Sequence, residues 1–248
     1  MKWDGFLIRI VAIAACFFTK GNVSAQLSGD DSSFYQSAVS SAIESYHHTA
    51  GDQSGIYNGM VYSGYSFLFK SGSPFFDSKG MDSGSVVYEG MLYKNLPLIY
   101  DNLKDVVVIR DGEDFIQLNN KRLSEFEIPG HHFIRLDEDD IKNSEAIAGF
   151  YEILYKGKVT VWKKTIKKIA EDISTDNLVE KSITQSDYFY IRKDSILYPV
   201  KNKRDIKGIF SDQKASILQF IKKNKLSFGE DKGNTLIQIT AYYEQTRK

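Results

Sequence analysis

The chain has 248 residues, with 32 basic and 32 acidic side chains, four histidines and one cysteine. A zero formal net charge argues against a dedicated nucleic-acid binder, which carries a strong basic excess. The length allows one large domain or two small ones, and abundant Tyr and Phe favour strands.

The first 25 residues read as a secretory signal peptide. Lys2 and Arg9 give a positive start, Ile10 to Phe18 is an apolar run, and Asn22-Val23-Ser24-Ala25 offers small residues before Gln26. The run is too short to cross a bilayer, which takes about 20 residues; no later stretch is longer, so no transmembrane segment is expected. Ile13-Ala14-Ala15-Cys16 resembles a lipobox. Lipidation at Cys16 is disfavoured because few apolar residues precede it and Phe17-Phe18 follow. Cleavage after Ala25 removes Lys2, Arg9, Lys20 and Asp4, leaving 29 basic and 31 acidic residues and a net charge of −2. It also removes the one cysteine, so the mature chain is expected to have no disulfide and no thiolate ligand.

Residues 26–33 form a polar lead, expected to be mobile, and 34–248 are expected to form a single α+β domain. Tyr35, Val39, Ala42, Ile43 and Tyr46 share one helical face. From 56 to 200 short apolar or alternating runs separated by Gly, Asn and Asp predict strands. These are Val86–Tyr88, Leu96–Tyr100, Val106–Ile109, Phe115–Leu118, His132–Leu136, Gly149–Tyr155, Val159–Ile169, Tyr188–Arg192 and Ile196–Val200. Short links predict antiparallel pairing, since a parallel pair takes a long crossover. The tail, 201–248, predicts three helices: Asn202–Phe210, Asp212–Lys223 capped by Ser211, and one starting at Asn234. The expected architecture is a twisted antiparallel β-meander or half-barrel, covered by the N-terminal helix and the C-terminal helices.

One six-residue frame occurs twice, as Tyr57-Asn58-Gly59-Met60-Val61-Tyr62 and Tyr88-Glu89-Gly90-Met91-Leu92-Tyr93. Two copies are too few for a stacked repeat. Both predict a hairpin, with Gly59 and Gly90 at positive φ. Gly112 and Gly157 are expected to turn the chain in the same way.

Chemistry-bearing motifs are sparse. His47-His48 and His131-His132 lack metal-ligand spacing, and neighbours on a strand point to opposite faces, so no metal and no cofactor are expected. His131 and His132 are nonetheless the weak candidates for a catalytic base. Ser211-Asp212-Gln213-Lys214 matches Ser-x-x-Lys without its companion motifs; helix capping explains the serine. Asp137–Asp140 lacks the spacing of a calcium loop. Lys163, Lys164, Lys167 and Lys168 beside Trp162 suit either an anionic partner or the solvent face of an edge strand.

The segments YNGMVYSGY, SPFF, GSVVYEGMLYKNLPLIYDNLKDVVVI, GHHFIRL, GFYEILYKGKVTVWKK and RDIKGIFSDQKASILQFIKKNKLSF together resemble a family of exported Bacteroidota proteins without an assigned activity. The likeness spans about Tyr35 to Tyr243. It implies the periplasm or cell envelope of a Gram-negative bacterium and transfers no catalytic residue. The family pattern has His before Pro-Phe-Phe, where this chain has Ser73. The expected function is non-catalytic, binding or structural. The alternatives are a carrier of an apolar or lipid-like ligand, a protein-interaction module of an outer-membrane system, or a hydrolase. The partner is then an envelope protein or an apolar small molecule.

Overall fold

The computed structural model describes residues 37–39, 41–42, 55–76, 80–142, 144–173, 177–229 and 231–247. The expected signal peptide, the polar lead, Cys16 and His47-His48 lie outside them. The chain divides into a short unit, Met1–Glu44, and a main unit, Ser45–Lys248. In the first, residues 37–39 and 41–42 are helical and exposed; the rest of the expected N-terminal helix lies outside the described residues.

The main unit is built on one eleven-stranded antiparallel sheet in the order β1-β5-β4-β3-β2-β6-β7-β8-β9-β10-β11. The strands are β1 (Met60–Val61), β2 (Asp82–Tyr88), β3 (Met91–Asp101), β4 (Val106–Asp111), β5 (Asp114–Gln117), β6 (Leu123–Ile128), β7 (His131–Leu136), β8 (Gly149–Tyr155), β9 (Thr160–Ile173), β10 (Val179–Lys193) and β11 (Ile196–Val200). Four helices follow or interrupt it: α1 (Glu138–Ile141), α2 (Lys203–Ile209), α3 (Lys214–Lys223) and α4 (Lys232–Thr246). The order is not one meander. β6 pairs with β2 rather than β5, so two meanders share a seam.

The sheet is open at its edges but rolled between β3 and β9. Strands pack about 4.8 Å apart, so β3 and β9, five steps apart, would be separated by about 24 Å in a flat sheet. Yet Asn102 Nδ2 after β3 donates to the Thr165 carbonyl on β9 at 3.4 Å, and Lys164 Nζ on β9 lies 2.9 Å from Asp105 Oδ2. Only a strongly coiled sheet brings them together.

Bulges set the coil. Between Gly84↔Leu96 and Val86↔Tyr93, β3 carries one residue more than β2, with Asn95 at φ 57°. That extra residue puts Tyr93, Leu96, Leu98 and Tyr100 into one core although their spacing breaks strict alternation. A second bulge, opposite Val87 and Tyr88, does the same for Leu123 and Phe126 on β6.

Three cores result. The rolled part encloses Tyr100, Phe126, Phe133 and Phe150, with Phe126 and Phe133 stacked at 4.6 Å and the others edge-on or tilted. The C-terminal helices cover β9–β11 through Ile206, Ile217, Leu236, Ile239 and Tyr243 on Val161, Ile191 and Val200. A third cluster, Leu136, Tyr151, Trp162, Tyr190 and Leu197, is partly covered by Ile141 and Ala146 of the 137–148 connection.

The last two helices begin at Lys214 and Lys232, where Asp212 and Asn234 were expected, and one expected cap is absent. Asn202 caps α2 by accepting from Arg204 N, and Asp231 caps α4 by accepting from Asn234 N. Ser211 caps nothing: it begins a 3-10 turn, Ser211–Gln213, leading into α3. The reason is Asp212, whose carboxylate is drawn to Lys193 Nζ (3.0 Å) and the Tyr243 hydroxyl (2.7 Å).

The turn glycines divide into two kinds. Glu89 (φ 53°) and Gly90 (φ 78°) join β2 to β3, and Gly112 (φ 57°) joins β4 to β5. Gly59 and Gly157 are not at positive φ, which corrects the hairpin expectation for the first copy of the repeated frame. Met60 there begins β1, paired with β5. A Cβ on Gly59 would lie 2.5 Å from the Gln117 carbonyl oxygen, and one on Gly157 would strike the Glu244 carboxylate. Both are glycines of close approach. Gly90→Ala is expected to lower stability by about 1–2 kcal/mol through left-handed strain alone, because a Cβ there meets nothing within 4 Å. Chemical denaturation of G90A would measure it. Ser195 (φ 65°), in the turn between β10 and β11, is the mirror case. S195G is expected to stabilise by about 1 kcal/mol.

Candidate functional site

β7 opens after the Pro129-Gly130 turn, where Gly130 has φ 81°. Alternation then sends His131 and His132 to opposite faces of the sheet. Each finds a carboxylate on a different neighbouring strand. His131 Nδ1 lies 2.5 Å from Glu152 Oε1 on β8, and His132 Nε2 lies 3.0 Å from Glu125 Oε2 on β6.

The His131 side is the more enclosed. Glu152 is buried, and its second oxygen lies 2.6 Å from Lys163 Nζ on β9. Register explains the trio, since Glu152 stands opposite Lys163 and opposite Phe133, two residues from His131. Phe76 lies edge-on to the His131 ring at 4.9 Å and 5.9 Å below the Lys163 ammonium. The trio sits where the aromatic core gives way to the core under the helices. Chemically it is a histidine oriented by a carboxylate that a lysine also holds. Such a pair can position an imidazole for proton transfer.

The His132 side is an open groove of about 630 Å³, lined among others by Ser85, Lys94, Glu125, Glu127, His132 and Lys156. Across β2, β6 and β7, Ser85, Glu127 and His132 are direct cross-strand partners. The order puts the acid between hydroxyl and imidazole, the reverse of a serine-hydrolase relay, in which histidine stands in the middle.

The largest buried polar assembly was not visible as a motif. Asp101, at the end of β3, is fully buried. It accepts hydrogen bonds from the Tyr62 hydroxyl (2.7 Å), the Tyr65 hydroxyl (2.7 Å to the same oxygen) and the Leu103 and Lys104 amides (3.0 Å each). Lys104 Nζ reaches back to the Ser63 carbonyl at 2.5 Å and lies over both tyrosine rings. Four residues on, Asp105 accepts from the Tyr100 hydroxyl and pairs with Lys164. Lys167 Nζ donates to the Ser73 and Phe75 carbonyls at 2.9 and 2.5 Å, and burial lowers its pKa. Every contact ties the 62–76 segment or the β3–β4 turn to the sheet, so the assembly is a clamp. The signal for it was Tyr62, Tyr65, Asp101 and Asp105 at or beside strand ends, where such residues read as solvent-facing until the sheet rolls.

The clamp has a pH signature. Burial, then the hydrogen bond to Asp101, raises the pKa of Tyr62 and Tyr65; burial, then the Asp105 charge, raises that of Tyr100; burial raises that of Tyr151. The unfolded tyrosines lose protons first as pH rises above about 10. The native state then holds more protons than the unfolded one, and stability falls. The fully buried Tyr100 contributes up to about 1.4 kcal/mol per pH unit in that window, and the half-buried Tyr62 and Tyr65 contribute less, because solvent screens them. Unfolding free energy measured from pH 9 to 11 is expected to drop steeply, and the drop is expected to be shallower in the Tyr62→Phe/Tyr65→Phe variant.

Among the described residues no group of three His, Cys, Asp or Glu side chains gathers to hold a metal. Among the described residues no helix is long and apolar enough to cross a membrane.

Fold and site together define a class: a rolled, open antiparallel sheet with a helical cover and a paired histidine on each face of one strand. Comparisons of the chain with family models, with curated proteins and with solved structures find no match.

Proposed function

We propose that the protein is an exported, non-catalytic binding protein of a Gram-negative cell envelope that works by contacting another protein. The order of charged, apolar and small residues over 1–25 supports export, and the likeness to exported Bacteroidota proteins agrees with it. One observation carries the choice of protein contact over ligand carriage: where the apolar surface lies. The roll is filled by its own rings, and the cavity beside Phe76, Leu98, Tyr100 and Ile128 measures about 10 Å³, room for about one water-sized sphere. Apolar side chains lie open instead on the far half of the β9–β10 hairpin and the segment beside it. Ile173 is 70 % exposed, its cross-strand partner Val179 60 %, and Leu68 94 %. Ile173 and Val179, side by side on one face of the hairpin, support an interaction surface there.

Native mass spectrometry of protein purified from its own envelope tests the reading. A protein partner is expected, and Ile173→Asp with Val179→Asp is expected to release it. A bound lipid mass instead would establish the carrier. The His131–Glu152 contact favours one second reading, hydrolysis with His131 as base. Esterase and peptidase assays of wild type against His131→Asn are expected to be equal; a loss of turnover in H131N at unchanged melting temperature would reverse the assignment.

A further inference from the structure

The outer edge of β10 contains a gap in an otherwise occupied line of strands. Along β10 the backbone groups alternate between pointing at β9 and pointing away from it. Ile183 N donates to the Ser71 carbonyl at 2.9 Å and Lys181 O accepts from Lys70 N at 2.7 Å, so the odd-numbered residues point away. At the other end β11 takes the same edge from Phe189 to Lys193, again through the odd positions, as a two-residue turn at Asp194-Ser195 requires. Between these two occupants the outward amides and carbonyls of Gln185 and Asp187 have no backbone partner among the described residues. Residues 184–188 are all exposed.

We propose that this gap is a docking slot for a short extended peptide segment of a partner protein, which adds a strand to β10. Strand addition supplies main-chain hydrogen bonds, and the chain itself already uses the edge in this way through Lys70 and Ser71. A second copy of β10 does not fit. An antiparallel β10 centred on Ser186 would run on into the positions held by β11 at one end and by residues 70–71 at the other. The occupant therefore pairs over about five residues, the length between the two stops, and leaves the sheet line at both ends. This describes a loop or a chain terminus rather than the strand of a folded sheet. The one charged side chain on residues 184–188 is Asp187, whose carboxylate faces Thr165 Oγ1 at 2.7 Å and Gln185 Nε2 at 3.2 Å. A lysine or arginine opposite Asp187, one place from the centre of the segment, lies on the same face and complements it. The proposal rests on the reading of the protein as a protein-contact module and specifies which backbone makes the contact.

The test uses the full mature chain and the capped peptide acetyl-Thr-Lys-Val-Lys-Thr-amide, which sets a lysine opposite Asp187 in either direction, followed by amide hydrogen exchange and backbone NMR. In the free protein the Gln185 and Asp187 amides are expected to exchange at least about tenfold faster than that of Ser186, which points at β9. With about millimolar peptide their exchange is expected to slow by about tenfold, with shifts confined to residues 183–189. Gln185→Pro removes an outward N–H and spares the β9 ladder. It is expected to weaken the peptide by about tenfold or more with the melting temperature held within a few degrees. Slow exchange of both amides in the free protein, no protection by peptide, or equal binding to Q185P each overturns the slot. None of these outcomes depends on the natural partner, so the slot can fail while the envelope co-purification succeeds, and the reverse.

Discussion

Replacing Phe126 by alanine is expected to lower the unfolding free energy by about 3–5 kcal/mol, read as a lower urea midpoint at unchanged slope. Phe126 is almost completely buried, stacks on Phe133 at 4.6 Å and meets Tyr100 and Phe150 edge-on, each at 5.1 Å. Truncation removes the transfer energy of the ring and leaves a hole. The hole cannot collapse, because its walls are strands fixed on both sides by ladders β2–β6 and β6–β7. Small domains are stable by about 5–15 kcal/mol, so F126A removes a large share of the total. Phe126→Leu is expected to recover most of the loss. Leu92→Ala provides the contrast. Leu92 lies on the opposite face of the sheet and is more than a third exposed; its loss is expected to cost under about 1 kcal/mol.

Asp101→Leu is expected to cost about as much, 3–5 kcal/mol, for a different reason. The carboxylate is fully buried and satisfies four donors: two tyrosine hydroxyls and two amides. Leucine matches its bulk but accepts nothing. Each donor left dry costs about 1–3 kcal/mol, less where water can reach it. The tyrosines are half-buried and the Leu103 and Lys104 amides lie in a tight turn, so the amides carry most of the penalty. Tyr62→Phe and Tyr65→Phe each delete a donor rather than an acceptor and are expected to cost about 1 kcal/mol apiece. A double-mutant cycle between Y62F and D101L is expected to show coupling, since removing the acceptor makes the hydroxyl worthless. Additive losses would mean that Tyr62 and Asp101 do not act together. Limited proteolysis gives the second readout: with the clamp gone, cleavage within 62–76 is expected to precede unfolding of the sheet.

Local pattern revealed more of the strands than of their arrangement. β11, Ile196–Val200, and β8, Gly149–Tyr155, are read to the residue, because each is a short apolar run between turn residues. β6 escaped the pattern. Its core residues Leu123, Phe126 and Ile128 fall three and two apart, since an extra residue is inserted opposite Val87 and Tyr88. A bulge breaks the alternation by which a strand is recognised. The first half of β10 escaped because Thr184 to Asp187 is polar on both faces and Ile183 stands alone, so no alternating apolar face declares the strand. The candidate site was legible only as a pair of histidines on opposite faces. Glu152, Lys163 and Glu125 lie 21, 32 and 6 to 7 residues away in the chain, and no spacing announces partners supplied by other strands.

Sequence by itself determined the antiparallel pairing, the split of His131 from His132, the turns at Gly90 and Gly112 and the helical tail. Those depend on neighbours within a few residues: alternation, φ preferences and link length. Tertiary structure alone decided that β6 joins β2, that the sheet rolls, that Gly59 and Gly157 serve close approach, and that Asp101 is a buried anchor. Each of these arises where segments distant in the chain meet. Burial and register there are set by which strands lie side by side, and that choice is made by the whole core.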